Sequence, residues 1–143
     1  DIAAARELLS RRSDCTGAIG IAGFCMGGGF ALVASTKGFG ASAPFYPPPL
    51  QRKYATIVDG ACPIVASFGK RDPLNRGSGK HLEEVLTEKK IPHDVKTYPH
   101  TGHSFADRAP LQAVSRIIGF GENKDAAADA WQRVFTFFGQ HLQ

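Results

Sequence analysis

Six residues, Gly23-Phe24-Cys25-Met26-Gly27-Gly28, constrain this chain more than any other feature, because they place a thiol on a turn that few sequences can make. The apolar run from Ala18 to Phe24 reads as a short buried strand, and the run from Met26 to Ala34 as the start of a packed helix. A G-x-C-x-G-G pattern at that junction fits a nucleophile elbow with cysteine in place of serine. Glycines are needed there because a Cβ would strike the strand or the incoming helix. The helix start offers unpaired N–H groups and positive potential beside the sulfur, and both favour its ionised form. A buried structural cysteine is the commoner fate of this residue type. Glycines on both sides argue against it here.

Two more pieces follow in the order such an elbow requires. Ile64 to Phe68 is a short apolar strand running into Gly69-Lys70-Arg71-Asp72-Pro73, which puts Asp72 just past the strand's C-terminal end. Open α/β sheets place their functional groups at that end. Asp94 to Tyr98 is the next strand candidate, and His103 lies in the glycine-flanked loop Pro99-His100-Thr101-Gly102-His103-Ser104-Phe105 behind it. The chain order Cys25, Asp72, His103 gives nucleophile, acid and histidine in the sequence used by α/β-hydrolases. In such a set histidine takes the thiol proton, while aspartate fixes the imidazole tautomer and stabilises the imidazolium. The same elbow would hold an oxyanion on the backbone N–H of Met26.

These three motifs, Gly23–Gly28, Phe68–Pro73 and Tyr98–Phe105, resemble the dienelactone hydrolase (carboxymethylenebutenolidase) family of α/β-hydrolases. The resemblance implies that Cys25, Asp72 and His103 are the catalytic triad, that no metal or organic cofactor is used, and that the substrate is a small, anionic ester or lactone. It runs along essentially the whole chain but matches only the C-terminal part of a family member. The second oxyanion donor and the glutamate that controls the thiol in the family have no counterpart in this stretch. Where the family places a carboxylate-binding arginine, four residues after the histidine, this chain has Asp107. Arg108, next in line, becomes the candidate for substrate binding.

Residues 1–143 read as one domain, the C-terminal portion of an α/β-hydrolase fold with a mostly parallel sheet flanked by helices. Four strands are expected, at Ala18–Phe24, Ala41–Tyr46, Ile64–Phe68 and Asp94–Tyr98. Helical stripes appear at Ile2, Ala5, Leu8 and Leu9, with Arg11 and Arg12 near the helix end. They recur at Leu82, Val85 and Leu86, and at Trp131, Val134, Phe135, Phe138 and Leu142. A family-like sheet needs about twice as many strands, the others lying N-terminal, and residue 1 is Asp rather than Met. The elbow strand would then present an unpaired edge, so an N-terminal segment or a partner chain is expected to cover it.

Charge narrows the function less than the motifs do. There are 17 basic and 13 acidic residues, and the basic ones are scattered, which argues against a nucleic-acid partner. No apolar run approaches a membrane span. Three cysteines, Cys15, Cys25 and Cys62, form no disulfide framework and suit a reducing cytoplasm. His100 and His103 could suggest a metal pair, but no third ligand stands near them in sequence. The alternative to a hydrolase is a catalytically silent α/β-hydrolase fragment acting as an interaction or assembly module.

Overall fold

The computed structural model describes residues 1–107 and 119–143. In chain order it contains α1 (Ile2–Ser10), β1 (Gly20–Phe24), α2 (Met26–Ala34), β2 (Ala41–Phe45), a 3-10 turn at Gln51–Lys53 running into α3 (Tyr54–Ile57), β3 (Ile64–Gly69), α4 (Ser78–Glu88), β4 (His93–Tyr98) and α5 (Lys124–His141). All four expected strands are present, with ends moved by up to two residues. They form one parallel sheet in the order β1-β2-β3-β4. Every residue of β2 and β3 is buried, as the near-continuous apolar runs of central parallel strands require.

Side chains alternate across the sheet and build a separate core on each face. Ile64, Ala66 and Phe68 of β3 pack with Leu32, Tyr54, Leu82 and Leu86 beneath α2, α3 and α4. Val65 points the other way, into a cluster with Phe45, Phe105, Ala130, Val134 and Phe137 beneath α5. The result is helix, sheet and helix in three layers. Arg133 of α5 reaches across to β3 and β4, pairing with the Asp94 carboxylate and donating to Ser67 Oγ and the Ala66 carbonyl. That polar clamp fixes α5 against the strands whose C-terminal ends carry Asp72 and His103.

Two expectations need correction. On α5 the buried aromatic is Phe137, whereas Phe135 is 66% exposed and stacks on Trp131. Trp131 also packs on Phe24 and Phe45. Arg11, the C-cap residue of α1, and Arg12 stand at the helix end as expected, and their side chains pair with Glu7 and Asp14. No residue of α1 is buried, so Leu8 and Leu9 remain exposed.

β1 stands at one edge of the described sheet. Beside it runs an apolar groove of about 340 Å³, lined by Ile2, Leu9, Ile21, Phe30 and Phe39 among others. Only Gly23 of β1 is buried. A Cβ on Gly23 would come within 2.0 Å of the Gly27 carbonyl oxygen, so the strand can pass into the helix only without a side chain there. Gly27 faces open space, and a methyl group added to it would meet nothing within 4 Å. Gly23→Ala is therefore expected to cost about 2 kcal/mol or more through overpacking. Gly27→Ala, in a helix, should be neutral or stabilising by up to about 1 kcal/mol. Paired urea melts check the contrast.

Candidate active site

Cys25 occupies the turn between β1 and α2 with φ 50° and ψ −119°, a region non-glycine residues seldom enter. Two backbone bonds hold it there. Its N–H donates to the Phe45 carbonyl at 3.1 Å, and its carbonyl accepts from the Gly29 N–H at 3.2 Å. Strain of this kind persists where the surroundings over-determine the backbone, and here it lifts the thiol to the surface. Cys25 is exposed, while Cys15 and Cys62 are only partly so. The site lies at the C-terminal ends of the strands, where sequence order expects it.

Asp72 follows β3 in a tight turn and is fully buried. Its Oδ1 accepts from the Leu74 N–H at 2.9 Å, and its Oδ2 accepts from the Asn75 amide at 2.8 Å. The same Oδ2 lies 2.6 Å from His103 Nδ1. Burial alone would raise the Asp72 pKa, but hydrogen bonds from His103, Asn75 and Leu74 outweigh it and hold the carboxyl below its ordinary range. The motifs do not single out Asn75. An Asp with Asn three residues on, after Pro73, is the signal that could have found it.

His103 is 2% exposed. Its N–H donates to the Gly119 carbonyl at 2.7 Å, and its carbonyl accepts from the Gly121 N–H at 2.9 Å, forming a local bridge to Phe120. The approach is close enough that a Cβ on Gly102 would meet the Gly119 oxygen at 2.0 Å. Asn123 then ties the start of α5 to the same loop, its amide donating to Thr101 Oγ1 and its N–H to the Phe105 carbonyl. His103 Nε2 sits 3.1 Å from Cys25 Sγ, so one imidazole bridges the thiol and the carboxylate. Burial pulls the His103 pKa down, yet its bonds to Asp72 and Cys25 outweigh that effect and leave it above the ordinary histidine value.

Cys25, Asp72 and His103 thus lie in one hydrogen-bonded line, drawn from three separate loops. The other sequence candidates part company. The His100 ring is 3.4 Å from Arg71, and no group of three or more His, Cys, Asp or Glu that could hold a metal ion occurs among the described residues. Asp94 belongs to the Arg133 clamp. Asp107 closes a turn through its N–H to the Ser104 carbonyl. Arg108 lies outside the described residues. Met26 opens α2 directly after the thiol, with its side chain exposed. A second groove of about 540 Å³ is lined by Arg71, His100 and Phe120, but by none of Cys25, Asp72 and His103.

A parallel sheet with helices on both faces, a strained cysteine turn and loops that meet at its strand ends define an α/β-hydrolase fold. Residues 1–142 match the dienelactone hydrolase family, and the chain belongs to it. A carboxymethylenebutenolidase from Rhodococcus opacus is 30% identical over 142 residues, covering 86% of this chain and 50% of the relative. The chain thus spans about half the length of the curated relatives it matches. Among solved structures, it is similar in fold to a dienelactone hydrolase-like promiscuous phosphotriesterase from metagenomic libraries (TM-score 0.75, 22% identity, 98% of this chain and 59% of that one). It is likewise similar to an α/β-hydrolase from a Medee basin deep-sea metagenome library (TM-score 0.73, 16% identity, 99% and 63%).

Two outcomes follow from these environments. Iodoacetamide should label Cys25 first, because it is exposed and has a base in contact, and Cys62 last, because burial pushes that thiol up to about 11. Peptide mapping of a time course reads the order. Secondly, a histidine with a raised folded-state pKa stabilises fully below its unfolded value, 6.5, and loses that contribution as pH rises through the folded value. The Tm advantage of the parent over His103→Gln should therefore shrink as pH climbs above about 6.5.

Proposed function

We propose that this protein is a cysteine hydrolase that cleaves an ester or lactone of a small carboxylic acid. The observation that carries the reading is the continuous line from Cys25 Sγ through His103 to the buried Asp72 carboxylate, 3.1 Å and 2.6 Å long at its two links. Family membership supplies the reaction class, since carboxymethylenebutenolidase is the activity named for its curated relatives.

In the proposed cycle, His103 Nε2 accepts the Cys25 proton as Sγ bonds to the substrate carbonyl carbon. The carbonyl oxygen becomes an oxyanion that the Met26 N–H, at the start of α2, would hold. Collapse breaks the ester C–O bond. His103 returns the proton to the departing oxygen, leaving a thioester on Cys25. Water then attacks the thioester with His103 as base, releasing the acid and restoring the thiol. Asp72 keeps Nδ1 protonated throughout and stabilises the imidazolium.

An anionic substrate, implied by the family resemblance, is part of this reading, and its candidate anchor Arg108 lies outside the described residues. A reducing, cytoplasmic location belongs to the same reading and draws on three unpaired cysteines. An assembly module is the second reading, favoured by the β1 edge of the described sheet and its apolar groove.

Hydrolysis of p-nitrophenyl acetate by the purified protein separates the two. Cys25→Ala is expected to fall to the background rate, and Asp72→Asn to slow acylation by roughly a thousandfold or more. A protein that turns the ester over equally well with Asn at position 72 would contradict the triad. A parent protein without turnover would favour the assembly module.

A further inference from the structure

Both ring nitrogens of His103 are committed, one to Asp72 and one to Cys25. Those bonds alone do not fix the ring, because the torsion between an sp³ and an sp² carbon is soft and its distribution broad. A modest turn would carry Nε2 off the sulfur. Two aromatic rings stand against the imidazole. The Tyr46 ring centroid lies 5.0 Å from it with the planes at 62°, and the Phe120 centroid 5.3 Å from it at 61°. Both are close to the edge-to-face arrangement that aromatic pairs prefer.

Building on the triad reading above, we infer that Tyr46 and Phe120 form an aromatic bracket that positions His103 between Cys25 and Asp72. They act through the imidazole and not on the substrate. The backbone around each ring is set for that task. Phe120 is the residue whose neighbours, Gly119 and Gly121, exchange backbone bonds with His103, so its place beside the imidazole is fixed by the chain itself. Tyr46 follows β2 directly and donates its N–H to the Ser67 carbonyl at 2.8 Å. It does so at φ 33°, a left-handed conformation unfavourable for a bulky side chain. Tolerance of such strain points to a packing demand that only this placement meets.

On this inference, that demand falls on the ring of Tyr46 rather than on its hydroxyl. Oη is buried and faces the Asp107 carboxylate, its one acceptor in reach among the described residues, without a bond of normal geometry. Burial first, and the nearby Asp107 carboxylate second, push the phenol far above its ordinary range. Tyr46 is therefore a neutral ring at working pH. Phe105 supports it from another side at 5.1 Å. The ring is the functional part, and phenylalanine should replace it.

The test compares Tyr46→Leu, Phe120→Leu and Tyr46→Phe by steady-state turnover of p-nitrophenyl acetate, by NMR titration of the His103 ring and by thermal melting. Each leucine variant is expected to lower kcat tenfold or more with KM within twofold. Each should also move the His103 titration down toward the ordinary histidine value, as its bonds to Asp72 and Cys25 loosen. Tyr46→Phe should restore both. Should Tyr46→Leu fail to fold, Phe120→Leu and Tyr46→Phe still decide the matter. Folded leucine variants with the parent's kcat and titration would overturn the bracket, and so would a Tyr46→Phe variant as slow as Tyr46→Leu. Cys25→Ala separates the two levels. Activity surviving in that variant refutes the triad itself, whereas its loss alongside unaffected ring variants refutes the bracket alone.

Discussion

The buried hydrogen bond between Asp72 and His103 is the interaction on which the site's geometry depends. A carboxylate with no exposure must be fully satisfied, and this one is, by His103, Asn75 and the Leu74 N–H. Each of those partners fixes a different stretch of chain. Leu74 and Asn75 hold the turn after β3, and His103 brings in the loop after β4. That loop can reach Asp72 only because Gly102 lets it lie against Gly119. The far side of the same imidazole then meets the thiol, whose place is set independently by the elbow.

The elbow and the acid loop differ in what is left exposed. Cys25 is held by backbone strain and two backbone bonds, with its side chain left exposed. Asp72 is held in a buried turn by side-chain bonds added to its backbone bonds with Gly69 and Asn75. Such a division suits a site in which one group must meet substrate and the other must not. The β1 edge of the described sheet lies next to the exposed member of the set, with Ile2, Leu9 and Phe30 lining the adjoining groove. An edge strand with apolar neighbours is a natural place for further structure to pair.

Much of this was legible in the sequence because it is encoded locally. Gly23 and Cys25 lie within one turn, and the steric need at Gly23 follows from covalent geometry. The positions of Asp72 and His103 after strand candidates were legible, since parallel sheets put the loops after their strands at one end. What escaped was tertiary. The choice between Phe135 and Phe137 depends on how α5 lies over the sheet, because both fit a helical stripe within one turn. Tyr46 and Phe120 meet only around His103, and no spacing in the chain relates them. Asn75 stood close enough in sequence to be found, and its pairing with Asp72 is a local turn signal.

The most direct test of the central claim is to trap the covalent step. The protein is mixed with p-nitrophenyl acetate, turnover is quenched in acid, and the peptides are mapped by mass spectrometry. An acetyl group on the peptide carrying Cys25, absent when His103 is replaced by alanine, is the result expected if the thiol, the imidazole and the carboxylate act as one unit. Continued turnover with Cys25 unmodified and the acetyl group on another residue would contradict it.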